Sequence, residues 1–132
     1  MLTRDQVYKD ITDKFGFVPT FMKTLPDSSL GLEWELFKKM QIEDGSIPQK
    51  YRELIGLGIS GATKCSYCTL FHTEMAKLHG ATEAEIEEAV HYSKMTSGWS
   101  AYVNGLQVDY DNFKDEIRRA CDFVKSKEKK AA

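Results

Sequence analysis

The chain has 132 residues, of which 42% are hydrophobic and 29% are charged, and its formal net charge is −2. This length and composition are typical of one globular domain that folds without a disulfide or metal. So small a charge gives no reason to expect nucleic acid or an anionic membrane as a partner. No apolar stretch reaches the about 20 residues of a membrane span, and the first ten residues lack a signal-peptide core. We expect one cytoplasmic domain over residues 1–132.

The first third of the chain predicts helices with clear start and stop signals. Thr3 and Gln6 form a capping box, and the helix that they open is expected to stop at Gly16. A short helical turn follows between two prolines, and apolar residues at helical spacing then predict an amphipathic helix over about residues 28–41. Strand-like alternation of any length is not found.

A glycine-rich helix is predicted over about residues 48–62, with Pro48 at its start. Its interior holds Gly56, Gly58 and Gly61, each of which costs up to about 1 kcal/mol relative to alanine. Such a helix persists only if a neighbouring group packs very close to the missing side chains. We therefore expect this helix in the middle of the fold.

The remainder of the chain predicts three further helices. One begins near Cys65 and stops at Gly80, and the next opens with a capping box of Thr82 and Glu85 and is expected to kink or end at Gly98. The last helix is predicted over about residues 110–126, with one face buried. That face comprises Tyr110, Phe113, Ile117, Ala120, Cys121 and Val124. Together, these helix signals predict an all-α helical bundle of about six to seven helices.

Three residues with reactive side chains lie at helical spacing near the start of the fifth helix. Cys65, Cys68 and His72 are separated by three and four residues, so they share one helix face. The helix dipole stabilises a thiolate at Cys65, and an imidazole one turn beyond Cys68 can take up its proton. The two cysteines can close a disulfide if the first turn has suitable geometry.

An acidic residue precedes these three in the least polar helix of the protein. If the helix over residues 48–62 packs antiparallel to the cysteine-bearing helix, Glu53 can reach His72 and Cys68. There it would orient the imidazole or pass protons.

Together the four residues fit the pattern E-x(11)-C-x(2)-C-x(3)-H. This pattern resembles the active-site signature of the alkylhydroperoxidase D (AhpD) family, within the carboxymuconolactone decarboxylase-like superfamily. The resemblance covers about residues 48–95. It implies an all-helical fold that assembles into a homo-oligomer, a trimer or hexamer, and a thiol-dependent peroxidase or disulfide oxidoreductase with an antioxidant role.

The resemblance also implies a role for each residue. Cys68 would attack the hydroperoxide and Cys65 would resolve the sulfenic acid as a disulfide, while His72 and Glu53 would relay protons. The implied partners are a hydroperoxide or disulfide substrate and a lipoyl-bearing or thioredoxin-like electron donor. We assign no cofactor and no metal ligand. Tyr67 departs from the peroxidase members, which carry histidine there, and a tyrosine hydroxyl is a poor proton shuttle near neutral pH.

Three alternatives stay open at this stage. Decarboxylation of a carboxymuconolactone, the other activity of the superfamily, needs an acid/base pair but no dithiol. The chain could also be a non-catalytic helical oligomer in which the thiols are simply buried. Finally, Cys65, Cys68 and His72, with Glu53 as a fourth residue, are acceptable zinc ligands, although structural zinc sites usually draw on two separated ligand pairs.

Overall fold

A computed structural model describes residues 2–132, and within this range the chain folds into seven α-helices and one π-helical turn, with no strand. The all-α prediction is confirmed. The elements are α1 (Arg4–Phe15), α2 (Thr20–Lys23), α3 (Asp27–Phe37) continued by the π-helical turn (Lys38–Ile42), α4 (Gln49–Ala62), α5 (Ser66–Leu78), α6 (Glu83–Gly105) and α7 (Tyr110–Ala131).

Local sequence signals set most helix ends. In both predicted capping boxes, Thr3 with Gln6 and Thr82 with Glu85, the two reciprocal hydrogen bonds are formed. The chain leaves α1 through Gly16, whose φ of 80° lies in the left-handed region that glycine adopts without strain.

A small apolar core holds the N-terminal helices together. It is built from Val7, Ile11, Met22, Leu30 and Trp34, all essentially buried. The indole of Trp34 and the ammonium of Lys38 both donate to one carboxylate oxygen of Asp10, at 2.8 and 2.9 Å. This polar link fastens α1 to the end of α3.

Helix α4 lies between α5 and α6 and packs against both. Against α6, the Ser93 hydroxyl donates to the Gly58 carbonyl at 2.7 Å, and Lys50 pairs with Glu85 at 2.8 Å. The central position predicted for the glycine-rich helix is therefore what the structure shows.

An end of α6 at Gly98 and a buried face of α7 were both expected, and the structure shows neither. Helix α6 does not end at Gly98 but continues to Gly105, since an isolated glycine weakens a helix without breaking it. Helix α7 buries no residue, and Cys121 is exposed rather than packed. The apolar stripe of α7 is real, but no other element within residues 2–132 covers it. Within residues 2–132, no helix has both the length and the apolar character to cross a membrane.

Candidate functional site

The two motif cysteines sit at the start of α5. The chain turns between α4 and α5 through Lys64, whose φ of 58° is left-handed, and Cys65 then caps α5. The Cys68 N–H donates to the Cys65 sulfur at 3.2 Å. The two sulfurs are joined as a disulfide, with the Cα atoms 5.4 Å apart. The first turn of α5 thus has the geometry in which the two thiols can interconvert with a disulfide.

The imidazole of His72 is held by a buried carboxylate. Its Nδ1 lies 2.7 Å from Oε2 of Glu53, which is 1% exposed. This bond joins α4 to α5, which run antiparallel. Because Nδ1–H donates to the carboxylate, Nε2 is the nitrogen left to exchange a proton.

A hydrogen-bond chain supports the carboxylate from the other side. Gln49, one turn before Glu53, donates through Nε2 to Oε1 of Glu53 and to the Gln41 carbonyl, both at 2.7 Å. Gln41 belongs to the π-helical turn, where the irregular backbone exposes carbonyl groups to side-chain donors. Both carboxylate oxygens of Glu53 therefore have a partner, as a buried charge requires.

The imidazole lies directly against the backbone of α4 at Gly56. A Cβ atom on Gly56 would fall 2.5 Å from Cε1 of His72 and 2.6 Å from both ring nitrogens. The ring also makes an edge contact with Phe71, which in turn contacts Phe37 beside the N-terminal core. The His72 ring is therefore fixed in position by α4, by Phe71 and by Glu53.

The structure brings the four motif residues together in two pairs on facing helices. Glu53 contacts His72, Cys65 bonds to Cys68, and α5 carries His72 one turn beyond Cys68. An open depression of about 500 Å³ lies beside Cys65. Tyr67 is 88% exposed.

One supporting residue, Gln49, is missing from the sequence-based prediction. Gln49 precedes Glu53 by four residues, a spacing that places both on one helix face and could have flagged the pair. The sequence predicts a closely packed neighbour at the glycines of α4, but it does not identify the neighbour of Gly56 as His72.

No cation site accompanies this arrangement in the part of the chain that the structure describes. Across residues 2–132, no three His, Cys, Asp or Glu side chains form a group that could hold a metal ion.

Comparison with known proteins places the chain in a family. The model of the carboxymuconolactone decarboxylase family matches residues 30–110. The solved structure of the alkylhydroperoxidase AhpD core from Rhodospirillum rubrum superposes with a TM-score of 0.73 at 29% identity, covering 82% of each chain.

Two curated proteins match a shorter region. An uncharacterized protein of Cupriavidus necator is 36% identical over 52 residues, covering 39% of this chain and 46% of its own. Uncharacterized protein 4 of the cox locus in Paracoccus denitrificans is 27% identical over 66 residues, covering 50% and 60%. The chain spans about half the length of these relatives. Since the family model covers more than half of the chain and the fold matches the AhpD core, the chain belongs to the carboxymuconolactone decarboxylase family as an AhpD-like member.

Proposed function

We propose that the protein is a thiol-dependent peroxidase or disulfide oxidoreductase that cycles between a dithiol and a disulfide. The observation that carries the proposal is the Cys65–Cys68 pair at the start of α5, with His72 one turn further on and bonded to the buried Glu53. The match to the AhpD core of Rhodospirillum rubrum supports it.

In the first proposed step, the Cys68 thiolate attacks the outer oxygen of a hydroperoxide. The O–O bond breaks, the sulfur becomes a sulfenic acid, and the departing alkoxide takes a proton to leave as an alcohol. His72 supplies that proton after having received the proton of the Cys68 thiol. The carboxylate of Glu53 stabilises the imidazolium between these two transfers. Cys68 is exposed in the first turn of α5, so a small hydroperoxide can approach its sulfur.

In the second step, the Cys65 thiolate attacks the sulfur of the Cys68 sulfenic acid. The S–O bond breaks, the disulfide forms, and the oxygen leaves as water after protonation. An external dithiol then returns two electrons and two protons and regenerates the pair. We propose a lipoyl-bearing or thioredoxin-like protein as this donor, and a cytoplasmic homo-oligomer, a trimer or hexamer, as the working form.

Thiol counting tests the proposal directly. The chain has three cysteines, so the fully reduced protein should lose two thiols per chain on reaction with an organic hydroperoxide. Cys121→Ser serves as the matched control and should still lose two, whereas Cys68→Ser should keep both of its remaining thiols. An unchanged thiol titre in the unmodified protein after hours of exposure would refute the peroxidase proposal.

Decarboxylation of a carboxymuconolactone is the second candidate. Two observations favour it. The matching family carries the name of this reaction, and the Glu53–His72 pair can move protons without any sulfur. The Cys65→Ser variant separates the two functions. Full turnover of a carboxymuconolactone by this variant would establish the decarboxylase, while absence of turnover by the unmodified protein would exclude it.

A further inference from the structure

The end of the π-helical turn is held by two side chains of α4. Arg52 donates to the Met40 carbonyl at 2.7 Å and to the Glu43 carbonyl at 2.6 Å. Between these two residues in the chain, the Gln41 carbonyl accepts from Gln49 at 2.7 Å. The last carbonyl groups of a helix have no partner within it, so α4 supplies the donors that this helix end lacks. The Gln41 carbonyl is thereby fixed against Gln49.

The side-chain amide of Gln49 lies between two oxygen atoms that accept hydrogen bonds. Its Nε2 is 2.7 Å from the Gln41 carbonyl oxygen and 2.7 Å from Oε1 of Glu53. A backbone carbonyl never donates a hydrogen bond, and an ionised carboxylate does not either. Rotating the amide by half a turn would place its oxygen against both acceptors. The observed orientation, in which the two N–H groups are both used, is therefore the one that satisfies these contacts.

This orientation leaves the other polar atom of the Gln49 amide without a partner. Its Oε1 is buried and accepts no hydrogen bond within residues 2–132. A buried acceptor without a donor lowers the stability of a folded chain. Because the orientation is kept in spite of that loss, the donor side of the amide is the side that matters. The group that it serves is the carboxylate of Glu53.

The donor side of Gln49 determines which oxygen of Glu53 can carry a proton. A proton on Oε1 would face the N–H group of Gln49, so that two donors would meet. A proton on Oε2 would instead lie in the hydrogen bond to Nδ1 of His72, which is 2.7 Å long. Proton exchange by Glu53 is therefore confined to the oxygen that contacts the imidazole.

From this geometry we propose that Gln49 is a positioning residue of the redox site. Held by the Gln41 carbonyl, its amide occupies Oε1 of Glu53 and leaves Oε2 to accept from Nδ1 of His72. Nε2 of the imidazole is then the atom that exchanges a proton with the thiol. The inference rests on the proposed function, because it assigns Gln49 to the Glu53–His72 pair. It also makes the π-helical turn a part of the site.

The tautomer of His72 tests this inference without any substrate. In protein with nitrogen-labelled histidines and the Cys65–Cys68 disulfide formed, heteronuclear NMR shows which ring nitrogen carries the proton. The spectra are recorded at mildly alkaline pH, where an ordinary imidazole is neutral. His72→Asn assigns the His72 signals, and the exposed His79 and His91 are internal references. We expect His72 to be protonated at Nδ1 in the unmodified protein.

Three variants complete the NMR measurement. Gln49→Met roughly keeps the size of the side chain but removes both donors, and Gln49→Glu keeps its shape but replaces the NH₂ group by oxygen. In both variants we expect the Nδ1–H fraction of His72 to fall toward that of His79 and His91. Gln107→Met, in the exposed connection between α6 and α7, is the matched control and should leave His72 unchanged. Circular dichroism shows which variants are folded.

The rate of thiol oxidation by a hydroperoxide is the second measurement. We expect it to fall about 10-fold in Gln49→Met, the lower end of what the loss of an outer hydrogen-bond partner costs at a metal-bound histidine. Gln49→Glu should lose at least as much. If Gln49 only filled space, Gln49→Glu would keep the full rate, because the two side chains have the same shape.

Three outcomes would overturn the inference. One is an unmodified protein in which His72 is not protonated at Nδ1. Another is a folded Gln49→Met or Gln49→Glu protein in which His72 keeps the Nδ1–H tautomer unchanged. The third is thiol oxidation of both Gln49 variants at the rate of Gln107→Met. If the unmodified protein itself does not oxidise its thiols, the proposed peroxidase function fails, and the tautomer measurement still decides whether Gln49 orients the imidazole.

Discussion

At the scale of single residues, the carboxylate of Glu53 decides how the His72 imidazole is oriented. It is 1% exposed and receives hydrogen bonds from Gln49 and from His72. A buried carboxylate of this kind fixes the imidazole tautomer, and in the proposed reaction its negative charge lies next to the imidazolium that forms when a thiol gives up its proton. Its chemical contribution therefore lies in the negative charge as well as in the hydrogen bond.

Replacing Glu53 by glutamine separates these two contributions. The amide oxygen of Glu53→Gln can still accept from Nδ1 of His72, but it brings no negative charge. We expect thiol oxidation by a hydroperoxide to slow about 100-fold, the usual scale of general acid/base catalysis, with helix content unchanged. Stopped-flow kinetics measure the rate, and Glu74→Gln on the exposed side of α5 is the control. Equal rates for the two variants would show that the charge of Glu53 is not used.

The glycine beside the imidazole offers a test of position alone. In Gly56→Ala the new Cβ would fall within 2.6 Å of three His72 ring atoms, so the ring must move. A displacement of about 1 Å can cost about 100-fold in rate, and we expect a loss of that order in thiol oxidation. Gly98→Ala, within α6, meets nothing within 4 Å and should keep full activity. Activity retained by Gly56→Ala would mean that the observed ring position is not required.

At the scale of helices, the link between α1 and α3 predicts a dependence of stability on pH. Hydrogen bonds from Lys38 and then from Trp34 lower the pKa of Asp10 below its ordinary value. A lowered folded-state pKa means that the stabilisation is present above the unfolded pKa of about 3.9 and is lost as the pH falls through the folded value.

Asp10→Asn should therefore destabilise the protein near neutral pH and have little effect in acid. Because the carboxylate is 36% exposed, we expect a loss of only about 1 kcal/mol at pH 7, shrinking below about pH 4. Urea unfolding at both pH values measures it. Asp13→Asn, which removes an exposed ion pair within α1, is the comparison. A loss for Asp10→Asn that stays constant between the two pH values would disprove the assignment.

The helices themselves were largely predictable from the sequence, for local reasons. Capping boxes and left-handed glycines act within a few residues, so Thr3 and Thr82 mark their helix starts without knowledge of the fold. The π-helical turn after α3 was not predictable, because no local sequence rule specifies it. Gly98 misled the prediction since helix α6 tolerates a single glycine.

The site was predictable to the extent that its spacing is fixed along the chain. The separations of Glu53, Cys65, Cys68 and His72 indicate four residues that can converge on two antiparallel helices. The spacing of Gln49 and Glu53 is also local, but the bond from Gln49 to the Gln41 carbonyl depends on the position of the π-helical turn and follows only from the tertiary structure.

At the scale of the whole molecule, the interior of one chain is small compared with the apolar surface that it leaves exposed. Among the described residues outside the N-terminal core, the buried apolar side chains are Leu57, Ala76 and Ile86. Many large apolar side chains along α4, α6 and α7 remain accessible. The amphipathic pattern of α7 led to the expectation of burial. Such a pattern says that a face needs a partner, but it does not say which chain provides it.

An assembly that completes this interior should make thermal stability depend on concentration. Because association favours the folded state by mass action, the Tm of the unmodified protein should rise as its concentration is raised. Ile117→Glu, on the apolar face of α7, should lower the Tm and remove most of that dependence, whereas Ser126→Glu, on the opposite face, should keep it. Differential scanning calorimetry over a wide concentration range provides the measurement. If the Tm of the unmodified protein did not change with concentration, the interpretation that assembly completes the apolar interior would be contradicted.

The most direct test of the redox account is the pH dependence of Cys68 alkylation, measured with Cys65→Ser and Cys121→Ser so that one thiol remains. If His72 takes up the Cys68 proton, the rate should reach half of its maximum at a pH below the about 8.5 typical of cysteine. Adding His72→Asn should return that midpoint to about 8.5. A midpoint near 8.5 whether or not His72 is present would contradict the account.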